Sequence, residues 1–503
     1  MEELIVKTHS GAVRGSYEQR VAAFKGIPFA APPVGLLRFA APIPPQPWDG
    51  VRDASTFSPT PPQANAQPTP SLDLSPLVGE GWRKGDDYLT LNIWTPDLRA
   101  RGLPVMVFIY GGALESGGSS TPLYNGARFA RDGVVLLSMN YRLGIEGWLP
   151  LDGGETNLGL RDQLAALTWV QDNIDAFGGD PGNVTIFGQS SGAVSVDTLL
   201  AIPLAKGLFR RAISQSGGGQ HTMSMEQAAR VASRFGEILG IRPTREGFAS
   251  FTSEQLIAAQ SQLLPGALDL TTAQDVDPTG GLQIFLPVRD NDLISTQPAD
   301  AVAQGASSTV DLLLGTNSQE LNLVYVPTGV VDRINSDENV CMHIGSRHPD
   351  LEKLIAAYRA GHPDAPSGEL FSAIMTDWML FIPTVRLAEA HAPRAGGTYL
   401  YEFAWPSPSC GGKLRACHGL ELGFVFDNLD TPRLTGPRGL AGCHPPVELA
   451  KHMHQAWITF ATTGNPGWSP YNTPQRSTMR INTAWRTITD PRPVEREAWE
   501  GVR

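Results

Sequence analysis

Cysteine is scarce in this chain: four residues in 503, Cys341, Cys410, Cys417 and Cys443. They are too few and too clustered for a disulfide framework, and none forms the CxxC pair that would suggest zinc. Positive charge is also in short supply, with 39 Lys and Arg against 50 Asp and Glu and a formal net charge of −11. Such a surface offers little attraction to phosphate or anionic lipid, so nucleic acid is not an expected partner. No run of about 18 apolar residues occurs, and no membrane span is expected. The opening Met1-Glu-Glu-Leu-Ile-Val-Lys-Thr8 puts acid where a signal peptide needs positive charge, and no apolar stretch follows. A reducing, cytoplasmic setting is the expectation.

What is present is apolar and rich in turns: 41% hydrophobic residues, only 18% charged, 53 Gly and 41 Pro. That composition suits a large packed globule rather than a disordered or coiled-coil chain. No repeat and no charged or Gly/Ser-rich linker marks a domain boundary. The one compositional anomaly is Ser58 to Leu77, where Pro59, Pro61, Pro62, Pro68, Pro70 and Pro76 make a regular element improbable. It reads as an extended surface excursion, either a lid over a site or a long loop.

Beyond it, short apolar runs alternate with helix-period stretches. Val105–Tyr110, Val134–Met139, Val184–Phe187, Arg211–Gln215, Val310–Leu314 and Tyr399–Ala404 read as strands, mostly continuous in hydrophobicity as expected where both sheet faces are covered. Between the second and third, Leu160, Leu164, Leu167, Val170, Ile174 and Phe177 fall on one face of a helix. Strand, helix, strand in repetition predicts an α/β fold with a mostly parallel central sheet flanked by helices.

The most informative segment runs from Val184 straight into Gly188-Gln189-Ser190-Ser191-Gly192. A Gly-x-Ser-x-Gly after a strand is the pattern of a nucleophile elbow, a sharp strand-to-helix turn that exposes the serine hydroxyl. A serine is a weak nucleophile at neutral pH and needs a histidine base oriented by a carboxylate, in the chain order Ser, Asp or Glu, His for an α/β-hydrolase. The tetrahedral oxyanion needs donors too: the N–H after the serine, and others from a Gly-rich loop after an earlier strand. Tyr110-Gly111-Gly112-Ala113 supplies such a loop. Spacing alone does not select the acid and base among ten histidines and 50 carboxylates; His444, His452 and His454 read as surface or packing residues.

Motifs along nearly the whole chain make the selection. Gly11-Ala-Val-Arg-Gly15, Phe24-Lys-Gly-Ile-Pro-Phe-Ala-Ala-Pro-Pro-Val-Gly35, Asp86-Asp-Tyr-Leu-Thr-Leu-Asn92, Asn157-Leu-Gly-Leu-Arg-Asp-Gln163, Phe177-Gly-Gly-Asp-Pro181 and Phe460-Ala-Thr-Thr-Gly-Asn-Pro466 occur in order. In these the chain resembles the type-B carboxylesterases, the α/β-hydrolase family that includes bacterial para-nitrobenzyl esterases and the cholinesterases. The resemblance implies one α/β-hydrolase domain over residues 1–503, with insertions at roughly 217–287 and 324–395 forming a cap or gorge. It makes Ser190 the nucleophile, Glu320 the acid through Gly315-Thr-Asn-Ser-Gln-Glu320, and His418 the base through His418-Gly-Leu-Glu-Leu422. Gly112, Ala113 and Ser191 become the oxyanion donors, and Ser216 and Gln189 support the triad from behind. Leu114, Gly281, Gln283 and Phe285 are assigned to the substrate pocket, a core role being equally open for each.

Three departures from the family pattern matter. Gln189 stands where Glu is usual, which removes an anion that would favour cationic substrates and argues against choline esters. Ser191 stands where Ala is usual, without consequence for a backbone donor. Tyr88 stands where many members have a disulfide-forming cysteine, so the loop near the site is unbridged. Cys417, beside the base, reads as a small buried hydrophobe; a pairing of Cys410 with Cys443 is left open. The implied activity is hydrolysis of small to medium carboxylic esters, aromatic ones included, through an acyl-enzyme with no metal or organic cofactor. The alternatives are the same triad acting mainly on carbamate, amide or aromatic polyester bonds, and, remotely, a non-catalytic binding module. The expected partner is a small-molecule ester, and the expected state a monomer or small homo-oligomer.

Overall fold

The computed structural model describes residues 4–65, 71–264 and 266–502. An eleven-stranded sheet runs through the molecule. In chain order its strands are β1 (Ser16–Glu18), β2 (Val21–Pro28), β3 (Thr90–Thr95), β4 (Leu103–Ile109), β5 (Val135–Met139), β6 (Gly179–Gln189), β7 (Arg211–Gln215), β8 (Asp311–Asn317), β9 (Thr398–Phe403), β10 (Thr478–Ile481) and β11 (Arg486–Ile488). The spatial order is β11-β10-β9-β8-β7-β6-β4-β5-β3-β2-β1. From β5 across to β10 every neighbouring pair is parallel, while both edges are antiparallel. The six expected strands are all present, and the mostly parallel α/β sheet is as expected.

Helix α1 (Leu158–Asn173) continues into a 3₁₀ turn, Ile174–Phe177, so that the predicted face from Leu160 to Phe177 lies against the sheet, with Gly178 at φ 88° ending it. The Asn157–Gln163 motif proves to be structural glue. Asn157 brackets Val288 with hydrogen bonds in both directions, and Asp162 receives Arg142 through Nε at 2.8 Å and Nη2 at 2.6 Å. Both partners of this ion pair are essentially unexposed, 1% and 0%. Removing one partner from a pair so buried costs about 3–5 kcal/mol.

One expectation is corrected. The proline-rich Ser58–Leu77 stretch is not a surface excursion throughout: Thr60, Gln63, Leu72 and Asp73 are buried. The Gln63 amide donates to Gly117 O at 2.7 Å and accepts from Gly117 N–H at 2.8 Å, fixing this segment to the loop after β4. Pro68 and Pro70 fall outside the described residues. Among the described residues one helical run, Ser367–His391, is long and apolar enough to cross a membrane by length and composition, although it contains no unbroken run of about 18 apolar residues. It is a core helix here, 89% buried in its most apolar window, and it is interrupted by a π-helical turn at Asp377–Phe381.

The segments expected to form a cap are helical. The first carries Met225–Leu239, Arg245–Ala249 and Ser253–Gln260; the second carries Asp337–Ile344, Leu351–Gly361 and the long core helix. Arg347 joins them, lying over the Trp378 ring and donating to Gly280 O.

Candidate active site

The strand order brings the C-terminal ends of β4, β6, β7, β8 and β9 to one edge of the sheet, where open α/β sheets bind ligands. Ser190 follows β6 with φ 59° and ψ −129°, a backbone conformation rare for a side-chain-bearing residue. Its N–H donates to Gln215 O at 2.9 Å, and helix α2 (Ser191–Ala201) begins immediately after it. The flanking glycines are needed for space rather than for dihedral freedom. A β-carbon on Gly192 would lie 2.1 Å from Ile109 O, and one on Gly188 would lie 2.5 Å from the Gly192 carbonyl. The turn is tight because three backbone segments meet there, and the serine itself adopts the strained conformation.

The loop after β4 is held against this turn. Gly112, Ala113 and Leu114 take positive φ in succession, at 121°, 59° and 61°. Gly111 lies so close that a β-carbon would sit 2.5 Å from Gln189 O. Ser191, unusual at its position, has a use: its hydroxyl accepts the Leu114 N–H at 3.2 Å, tying the loop to the start of α2. The N–H groups of Gly112, Ala113 and Ser191 have no protein acceptor among the described residues and are free for an incoming oxygen.

Glu320 follows β8 and is fully buried. One carboxylate oxygen receives Ser216 Oγ at 2.6 Å and the Asn317 N–H at 2.6 Å, and the other lies 2.7 Å from His418 Nδ1. The main chain repeats the link, His418 N–H donating to Glu320 O at 3.1 Å. Burial pulls the imidazole pKa down, but the charge and hydrogen bond of Glu320, with Glu421 beyond, outweigh it and leave His418 above its ordinary value. Its Nε2 is 3.2 Å from Gln189 Nε2. With Nδ1–H given to Glu320, the ring accepts and the Gln189 amide donates. No hydrogen bond joins Ser190 Oγ to His418 in this arrangement.

Ser190, Glu320, His418, Ser216, Gln189, Ser191, Gly112 and Ala113, all named from sequence, thus converge. The pocket residues do not gather as a group. Leu114 is buried in the loop, and Phe285 is buried and stacked on Phe235 at 5.8 Å. Gly281 lines a separate cleft of about 660 Å³ between the two helical segments, and Gln283 is tied locally to Thr279.

Sequence reasoning passed over several neighbours. Asn317 donates from Nδ2 to Cys417 O at 2.7 Å and to Glu421 Oε2 at 2.6 Å. Burial, with Glu320 nearby, pushes Glu421 up to about 7. Both lie inside quoted motifs, which was the available signal. Glu115, after the Gly-rich loop, is raised by burial to about 7 despite a 3.0 Å bond from Gln260; no sequence pattern pointed to it.

Residues 2–498 match the family model described as the carboxylesterase family. The chain belongs to the carboxylesterase family. The para-nitrobenzyl esterase of Bacillus subtilis is 37% identical to this esterase over 99% of the chain and 98% of its own length. A phenmedipham hydrolase of Pseudarthrobacter oxydans is 35% identical over 92% of the chain and 90% of its own length. Among solved structures, a Geobacillus stearothermophilus carboxylesterase at 36% identity superposes with a TM-score of 0.85, covering 99% of this chain and 100% of that one. The esterase therefore has the α/β-hydrolase fold and hydrolyses carboxylic esters.

Proposed function

We propose that the esterase acts through an acyl-Ser190 intermediate on small to medium carboxylic esters, aromatic ones included. His418 Nε2 takes the Ser190 proton as Oγ attacks the ester carbonyl. The N–H groups of Gly112, Ala113 and Ser191 receive the developing oxyanion. His418 then protonates the departing alkoxide, and in the second half-reaction it activates the water that releases the acid. Glu320, held by Ser216 and Asn317, fixes the Nδ1–H tautomer and stabilises the imidazolium. No residue in this scheme needs a metal or organic cofactor. The observation that carries the reading is the 2.7 Å Glu320–His418 bond beside a serine held at positive φ. For the first step the Gln189 amide must yield Nε2 to the serine hydroxyl.

In this reading residues 1–503 act as one domain roofed by segments 217–287 and 324–395. The enzyme works in the cytoplasm, a setting supported by its four free cysteines, as a monomer or small homo-oligomer. The test is hydrolysis of para-nitrophenyl esters from acetate to octanoate and benzoate, with an aryl carbamate and an anilide alongside. Ser190→Ala is expected to reduce kcat by roughly 10⁴-fold or more. Loss of activity on chelation with Ser190→Ala still active would refute the scheme. Faster turnover of the carbamate or anilide than of every ester would move the preferred bond.

A further inference from the structure

Glu495 lies in the short helix Pro493–Ala498 and is 5% exposed. Among the described residues it makes no hydrogen bond and no ion pair, although a buried carboxylate is costly without a compensating partner. Its side chain lines a cleft of about 390 Å³ on the side of the sheet beyond β9. Space has been left for it: a β-carbon on Gly361 would lie 2.5 Å from Glu495 Oε1.

Four arginines and four carboxylates line the cleft, and of the carboxylates Glu495 alone has no ion-pair partner among the described residues. Arg492 is shared between Asp377 and Glu402, and Arg480 donates to Glu402 at 2.6 Å. Both of these guanidinium groups are thus taken up by Asp377 and Glu402. Tyr358 OH donates to Asp377 at 2.7 Å but brings no charge. At the mouth Arg415 is paired with Glu369, and Arg486 is exposed. Burial raises Asp377 to about 6, with Glu495 and Glu402 adding to the rise and Arg492 opposing it. Asp377 also opens the π-helical turn in the long core helix, an irregularity frequent at functional sites.

We infer that this cleft is a binding site for a small organic cation, an ammonium or guanidinium group, with Glu495 as its counter-ion. A metal ion fits less well, because among the described residues no group of three or more His, Cys, Asp or Glu side chains is placed to hold one. The cleft is separate from the ester site but backs onto it. Ser318 and Gln319 of its wall precede Glu320, and Gln319 is hydrogen-bonded in both directions to Ala416, two residues before His418.

The test is calorimetric titration of n-butylammonium into the full chain carrying Ser190→Ala, which keeps it independent of the proposed ester mechanism. Saturable binding at one site is expected, with n-butanol silent as the neutral isostere. Kd should rise at least tenfold in Glu495→Gln, and likewise in Gly361→Ala, whose methyl would displace the carboxylate without changing its charge. Because Glu495→Gln removes an unpaired buried charge, its Tm should equal or exceed that of the parent. If that variant does not fold, Gly361→Ala decides. Absence of saturable binding, or unchanged affinity in the folded variants, overturns the assignment.

Discussion

At Gln189 a neutral amide occupies the nitrogen through which the base must work. A glutamate there would place a carboxylate against the ring and favour the imidazolium, the form unable to accept the serine proton. His418 is already raised by Glu320, so the acid limb of kcat/KM should lie above the ordinary histidine value of 6.5. Gln189→Glu should move that limb upward by on the order of one pH unit. A pH–rate profile checks this, and an unmoved limb would mean that the amide does not bear on the base. At this scale the sequence was readable where a motif fixes a role: Ser190, Glu320 and His418 were assigned from local patterns and resemblance. It was unreadable where a role depends on side-chain direction. Nothing in Gly-Gln-Ser-Ser-Gly says that the Gln189 amide turns to the imidazole, or that the Ser191 hydroxyl reaches back to Leu114.

Among the elements, the elbow allows the least change. With Ile109 O only 2.1 Å from a β-carbon on Gly192, Gly192→Ala forces α2 away from β4. Overpacking of this kind typically costs about 1–3 kcal/mol and more when backbone must move. A Tm several degrees lower and a loss of ester turnover larger than the stability change explains are expected from calorimetry and kinetics together. Strands were legible where nearly every residue is apolar, as in β4 and β5. β3 was missed although all six of its positions are buried, because Thr90, Asn92 and Thr95 interrupt the apolar run. Asn92 is satisfied inside by Ser119 and Ser138, a compensation visible only in three dimensions. The Ser58–Leu77 stretch was misread in part for the opposite reason: proline excludes regular structure but not burial, and Gln63 supplies the hydrogen bonds that its backbone partner needs.

For the molecule as a whole, protonation links the buried acids to stability. Burial raises Glu115, Asp197 and Glu421 to about 7 and Asp377 to about 6. The folded protein therefore holds protons that the unfolded chain releases near pH 4, and stability falls as pH rises from there through the folded values. His418 acts in the same direction: its folded pKa is raised, so its contribution is present below the unfolded value and lost as pH rises through the folded one. Carboxylates held low, such as Glu18 and Asp290, work oppositely, contributing above their unfolded pKa and losing that contribution only in acid. Chemical denaturation should give a midpoint that declines from about pH 5 to about pH 8; a midpoint rising across this window would show that the buried acids ionise freely.

The hydrogen bonds between Gln319 and Ala416 join residues 97 positions apart in the chain, and the exposed turn at His362–Asp364 lies between them. A single proteolytic nick at that turn would leave a fragment carrying Glu320 and another carrying His418, each keeping its own side of the seam. Neither piece alone holds both the acid and the base. Ester turnover would then report their reunion, which makes this esterase a ready scaffold for a two-fragment complementation sensor.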